Sequence, residues 1–185
     1  EHGATAHIFA SANAAHADAL AKAGRLSLYR PFAKNEMALI VPRHNPARLR
    51  GFSDLPKARR IVIGAESVPV GRYAQGLIEK GSEIYGPDFA RSVRARIVSR
   101  ENNARLVRAK VSLGVADAAL VYRTDALTGK NLKHFRIPAE LSIASYYVQG
   151  VVQTEQPHKL AHQWMEFVQS SESRSRLRAH GFLVP

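Results

Sequence analysis

Apolar runs and helical periodicity alternate from one end of this chain to the other. His7-Ile8-Phe9-Ala10 reads as a strand. Ala14 to Ala23 reads as a helix stopped at Gly24, since a glycine just past the last turn supplies the left-handed residue that ends helices. Met37-Ala38-Leu39-Ile40-Val41 is an unbroken apolar run closed by Pro42, which predicts a buried strand. His44-Asn45-Pro46 reads as a turn. Arg60-Ile61-Val62-Ile63-Gly64 predicts a second buried strand, followed by a helix from about Gly71 to Lys80 that ends at Gly81. Ala95 to Ser99 alternates as a strand does. Asn102 to Leu113 places Ala104, Val107 and Val111 on one helical face, with Gly114 as the stop. Ala118 to Tyr122 is a further buried strand, and Tyr146 to Val152 is β-rich. Two helices close the chain, His158 to Gln169 and Glu172 to Ala179, the second stopped by Gly181. Repeated strand–helix units predict an α/β fold with a mostly parallel sheet covered by helices.

Charge changes the picture by its placement. The 185 residues carry 27 Lys and Arg against 15 Asp and Glu, a formal net charge of +12. Between Pro42 and Tyr146 the counts are 19 and 9, a net of +10; the flanking pieces carry 8 and 6, a net of +2. A basic middle with strands at both borders fits one lobe inserted into another, with crossings near Ile40 and Val148. A basic chain invites a nucleic-acid reading. Here the basic residues are dispersed among acids with no recognition module or stacking platform, so no nucleic-acid partner is expected, and attraction of a small anion accounts for the charge as naturally. Absence of cysteine excludes disulfides, thiolate metal sites and Cys nucleophiles. No apolar run is long enough for a membrane span.

Three strand-to-helix junctions hold the candidate chemistry. In Gly64-Ala65-Glu66-Ser67-Val68-Pro69-Val70-Gly71 a strand ends and a helix begins. The first N–H groups of a helix lack internal partners and carry the positive end of its dipole, so such a loop can hold an oxyanion by backbone alone. In Ser99-Arg100-Glu101-Asn102-Asn103-Ala104-Arg105 an Asn cap leaves free amides around Ala104 and Arg105. Val121-Tyr122-Arg123-Thr124-Asp125 delivers a Tyr hydroxyl at the carboxyl end of a strand, where open α/β sheets bind ligands. Each junction has a plain structural reading as well. Tyr122 serves equally as a core aromatic, Arg105 and Arg108 as a solvated helix face, and Glu101 and Asp125 as partners of nearby arginines. The usual enzyme constellations, Walker loop, GxGxxG and GxSxG, are absent. His158 and His162 have the spacing of a metal pair on a helix but lack the intervening Glu of an HExxH pattern, and read as surface.

At these junctions the sequence resembles the molybdate-binding proteins of bacterial ABC transporters, the ModA-like family. The matching stretches are Gly3-Ala4-Thr5-Ala6-His7-Ile8-Phe9-Ala10-Ser11-Ala12-Asn13, Phe32 to Pro42, and Val68-Pro69-Val70-Gly71-Arg72-Tyr73-Ala74. Ser99 to Arg105, Gly114 to Ala126 and His180-Gly181-Phe182 continue the series in the family's order and cover essentially the whole chain. The resemblance implies a type II periplasmic-binding-protein fold: two lobes with a two-segment hinge, the first formed by residues 1–41 and 147–185 and the second inserted as 42–146. It implies a periplasmic (or extracellular, membrane-tethered) solute-binding component, not an enzyme, with no cofactor. Its partners would be molybdate or tungstate and the membrane permease of an importer. The ligand would be a metal oxyanion held in the interlobe cleft. Carried over residue by residue, its holders here are the backbone amides of Val70 and Ala104 and the hydroxyl of Tyr122. Val70 and Ala104 differ from the commoner family side chains, which a backbone contact tolerates, and His7 stands where Asp is usual. The family's two Ser ligands belong to a segment that precedes the one matching Glu1, so the first lobe is expected to be incomplete at the N-terminus, leaving a sheet edge open to self-association. Sulfate or phosphate as ligand, or a ligand-sensing domain of a transcriptional regulator on the same fold, are the alternatives.

Overall fold

A computed structural model of the chain describes residues 6–154 and 159–184. In chain order the first elements are β1 (Ile8–Ser11), α1 (Ala14–Lys22), β2 (Leu26–Pro42), a 3₁₀ turn (Phe52–Lys57), β3 (Ile61–Gly64) and α2 (Pro69–Tyr85). There follow α3 (Asp88–Arg94), β4 (Ile97–Glu101), α4 (Ala104–Ser112), β5 (Ala118–Tyr122), α5 (Arg123–Thr128) and β6 (Leu132–Arg136). The chain closes with β7 (Ala144–Val152), α6 (Lys159–Gln169) and α7 (Ser171–Ala179). Contacts divide it into two units: one runs to Asn35 and resumes at Ser145, and the other is Glu36–Ala144. Both crossings fall inside strands, β2 and β7.

The inserted unit is a sheet with helices on both faces. β3 lies between β5 and β4 and is parallel to both, whereas β5 and β6 pair antiparallel with β2. Strand alternation sorts the apolar side chains into two cores. Met37, Leu39, Ile61, Ile63 and Leu120 face one way and pack with Leu77 and Ile78 of α2, Val93 of α3 and Phe52 of the 3₁₀ turn. Ala38, Ile40, Val62, Ala119 and Val121 face the other way, onto Val107 and Val111 of α4 and Ala126 of α5. Unbroken apolar runs are what a strand covered on both faces requires.

In the other unit β7 pairs antiparallel with β1, and β7 lies between β1 and β2. Ala17 of α1, Leu26 and Val148 form one small core; Val151, Ala161 and Met165 form another, with α6. Lys34 and Leu183 exchange backbone hydrogen bonds of 2.7 and 2.8 Å, which ties the chain end to β2.

Several expectations need correction. The sheet is mixed rather than mostly parallel: β3 pairs parallel with β4 and β5, whereas β2 pairs antiparallel with β5 and β6, and β1 with β7. The Met37–Val41 run is the end of a 17-residue strand. Its first part, from Leu26, carries exposed Ser27, Leu28 and Tyr29 and an internal Pro31, so it lacks a buried strand's apolar run. Gly81 does not stop α2; the helix continues to Tyr85 and ends at Gly86, with φ 95°. Gly81 is in the helix because a Cβ there would run into the Phe89 ring and lie 3.2 Å from Phe52. α4 starts two residues later than expected, with Asn103 as its cap, and α3, α5 and β6 went unread. His158 lies outside the described residues.

Asp117 fastens the start of β5 to the start of β3. Its carboxylate accepts the N–H groups of Arg59 (3.1 Å) and Arg60 (3.0 Å) and the Arg60 guanidinium (2.8 Å). Burial pushes this carboxyl up, but those bonds outweigh it and hold it below its ordinary 3.8. A depressed carboxylate stabilises the fold above its unfolded pKa, and that contribution disappears as pH falls through the folded one. Asp117→Ala should therefore cost about 1–3 kcal/mol near neutral pH, because it strands three donors. Urea denaturation should show the gap between variant and parent closing below pH 3.8.

Candidate functional site

Three strand ends meet at one edge of the inserted unit. Gly64 of β3 is in register with Glu101 of β4, and the Ala65 N–H donates to the Glu101 carbonyl at 2.8 Å. β5 runs parallel on the other side of β3 and ends at Tyr122. All three following helices start from this edge, the carboxyl edge at which α/β sheets bind ligands.

The β3–α2 loop is compressed. Val68 caps α2 and Pro69 occupies its first turn, where a missing N–H costs nothing. The N–H groups of Gly71 and Arg72 both return to the Val68 carbonyl, at 3.1 and 3.2 Å. The Val70 N–H just before them has no acceptor among the described residues, while the Val70 side chain is buried in the core. The Arg72 guanidinium donates to the Ser67 carbonyl at 3.1 Å and to that of Glu66 at 3.4 Å, which occupies the loop's acceptors. Gly71 crosses the strand end so closely that a Cβ on it would strike the Ala65 carbonyl oxygen.

The β4–α4 loop repeats the arrangement. The Asn103 side chain accepts the Leu106 N–H at 2.9 Å and its carbonyl accepts that of Val107 at 3.3 Å. The amides of Ala104 and Arg105 are left over among the described residues. Half-buried Ala104 and Tyr122 pack against the same core as Val70, together with Val68 and Tyr73. The Tyr73 and Tyr122 rings meet edge-on, centroids 6.0 Å apart at 70°. The structure thus brings Val70, Ala104 and Tyr122 together on one side of one sheet. Tyr73 was missed; its only signal is its place just past the first turn of α2, three residues beyond Val70.

Two of the acids at this edge, Glu101 and Asp125, have cations beside them. Lys110 donates to Ser99 at 2.8 Å and pairs with Glu101 at 2.7 Å, and Ser99 also donates to Glu101. The bonds from Lys110 and then Ser99 hold the Glu101 carboxyl below its usual range. Burial lifts the Asp125 carboxyl, against the pull of Arg108 and Arg105. Among the described residues there is no group of three or more His, Cys, Asp or Glu side chains fit to hold a metal ion. His162 is exposed on α6. What the edge offers is donors: helix-start amides and a phenol.

Residues 1–183 match the family described as bacterial extracellular solute-binding protein. The molybdate-binding protein ModA of Mycobacterium tuberculosis is 32% identical over 186 residues, covering 99% of this chain and 67% of that one. The chain is a ModA-like member of the bacterial extracellular solute-binding protein family. Solved structures agree on the fold. The substrate-binding domain of a putative molybdenum ABC transporter from Clostridium difficile superposes with a TM-score of 0.85 at 22% identity, covering 99% of this chain and 79% of that one. The periplasmic molybdate-binding protein of Azotobacter vinelandii gives 0.73 at 18%, covering 99% and 80%. The solute-binding protein therefore has the type II periplasmic-binding-protein fold. No described helix is long and apolar enough to cross a membrane.

Two glycines of α2 separate a built loop from an ordinary helix. Gly71→Ala should cost about 1–3 kcal/mol, because the new methyl meets backbone that has nowhere to go. At Gly76 a Cβ meets only the tip of Ile143, at 3.1 Å. Gly76→Ala should be near neutral or stabilising by about 0.5–1 kcal/mol. Urea denaturation of both variants checks the contrast.

Proposed function

We propose that this protein is the solute-binding component of a molybdate importer and that it takes a tetrahedral oxyanion, molybdate or tungstate, on the Val70, Ala104 and Tyr122 donors. The observation that carries the reading is the pair of helix starts, at Val70 and at Ala104–Arg105, whose amides lack acceptors among the described residues, beside Tyr122 at one strand edge. A tetrahedral dianion presents only acceptors, so N–H and O–H donors match it without a counter-charge in contact. The name of the Mycobacterium tuberculosis relative supports molybdate as the ion. The role is binding and delivery to an ABC permease in the periplasm or at the outer face of the membrane, without catalysis.

Selection among dianions would rest on the spacing of these donors. Sulfate carries the same charge on a smaller tetrahedron, so it should reach fewer donors at full strength, whereas tungstate should bind much as molybdate does.

Titration calorimetry on the gene product tests this. Molybdate should bind, and sulfate and phosphate should bind distinctly more weakly. A hydrogen bond to a charged group is worth about 1.5–3 kcal/mol. Tyr122→Phe should therefore weaken molybdate by roughly tenfold or more with the melting temperature little changed. Ala104→Val keeps the N–H and should be nearly silent, whereas Ala104→Pro removes it and should weaken binding strongly. Molybdate affinity indifferent to both Tyr122→Phe and Ala104→Pro would remove these residues from the site.

A further inference from the structure

The opposite ends of the same strands carry a different surface. Arg60 precedes β3 and Asp117 precedes β5, about a strand's length, roughly 13 Å, from the oxyanion edge. Six exposed cations, Arg43, Arg48, Arg50, Lys57, Arg59 and Arg60, crowd the connection that leads into β3, and Asp54 is its only acid. Neither nearby carboxylate is spare. Asp117 is taken up by Arg59 and Arg60, and Asp54 by Lys57 at 2.6 Å and the Arg50 N–H at 2.9 Å. The side chains of Arg43, Arg48 and Arg59 make no hydrogen bond or ion pair with the described residues.

This pole is also hollowed and apolar at its tip. Lys57, Arg59 and Arg60 line an open cavity of about 810 Å³ together with Pro46, Ala47 and Asp117, whose carboxylate is held by Arg59 and Arg60. Arg43, His44 and Leu113 line a second, of about 460 Å³. The α4–β5 turn projects Leu113, 78% exposed, and Val115, 50% exposed, on either side of Gly114. Arg60 joins the two features, since its guanidinium donates to the Gly114 carbonyl at 3.2 Å as well as to Asp117.

We propose that this amino-end pole of the inserted unit docks on an anionic phospholipid surface. Lipid phosphates enter the cavity beside Lys57, Arg59 and Arg60, Arg43 and Arg48 meet neighbouring headgroups, and Leu113 and Val115 dip into the acyl boundary. Charge complementarity selects an anionic partner, and the projecting apolar tips select its kind. Dispersed cations around a protruding leucine suit a fluid anionic plane, which conforms to them. A folded acidic protein would need a groove to receive Leu113 and Val115, and a nucleic acid offers them nothing apolar. The inference stands apart from the oxyanion reading, because it shares no contact residue with it.

Co-sedimentation tests it with phosphatidylcholine vesicles, with and without phosphatidylglycerol. The chain should bind the mixed vesicles, ignore pure phosphatidylcholine and be released by high salt. Each cation removed should weaken binding about fivefold, so Arg43→Ala with Arg59→Ala should weaken it roughly twenty-five-fold. These two side chains have no partners to strand, and an unchanged melting curve verifies that the double variant folds. Leu113→Ser should weaken binding about threefold or more, and molybdate titration should be unaffected by any of these changes. Equal binding to uncharged vesicles, no binding to either, or binding indifferent to the double variant would overturn the proposal. So would millimolar inorganic phosphate or polyglutamate displacing the chain from the mixed vesicles at constant ionic strength, since the site would then belong to a free anion or an acidic protein.

Discussion

Parallel pairing of β3 with both of its neighbours is the constraint on which the rest of the inserted unit depends. Parallel strands cannot be joined by a hairpin, so each connection must cross over through a helix, and the helix that directly follows each of β3, β4 and β5 starts from the same edge. Those starts bring amides with no partner inside the helix. The register Gly64 to Glu101 and the Ala65 N–H on the Glu101 carbonyl set how closely the first two loops approach. Gly71 lets the loop fold back over the strand end at a distance no other residue permits. The Asp117 clamp at the far end holds β3 and β5 side by side, so a buried carboxylate distant from the donors helps to fix where they lie.

The inserted unit was largely legible in the sequence because its strands are covered on both faces. Ile61–Gly64 and Ala118–Tyr122 had to be apolar without interruption, and such runs are visible. The first half of β2 was not legible because exposed side chains and Pro31 break the pattern that would reveal it. Gly81 misled for a related reason. A glycine ends a helix when it takes a positive φ, as Gly86 does, but it also sits inside one where a neighbouring ring leaves no room for a Cβ. Sequence alone does not separate these uses, because Phe89 comes near only after α3 has folded back. Orientation was hidden too: strand–helix alternation predicts parallel pairing, but the return of β2 beside β5 is a tertiary fact.

The donor set was partly readable. Asn103 as a cap and Pro69 as an opening residue are local signals, and they mark where unpaired amides occur. The packing of Tyr73 on Tyr122 was not readable, because the two rings meet across elements far apart in the chain. Nor could the muting of Glu101 be foreseen. It needs Lys110, nearly two turns along α4, to come back over the strand end and engage both Ser99 and Glu101.

The basic character of the inserted unit calls for an account separate from the choice of ion. Molybdate, tungstate and sulfate carry the same charge, so an excess of arginines attracts all three alike and cannot tell them apart. Discrimination has to come from short, directional bonds whose spacing is set by backbone. Helix-start amides meet that requirement because they are fixed by the fold and bring no flexible side chain with them. Arginines on long side chains, spread over a surface, act on encounter and on association with extended anionic partners. The molecule separates these two tasks in space. Helix-start amides lie at the carboxyl edge of the parallel strands, and Arg43, Arg48 and Arg59, whose side chains make no hydrogen bond or ion pair with the described residues, lie at the amino edge. Moving a cation from the second edge to the first would strengthen the hold on every dianion and blunt the selection among them.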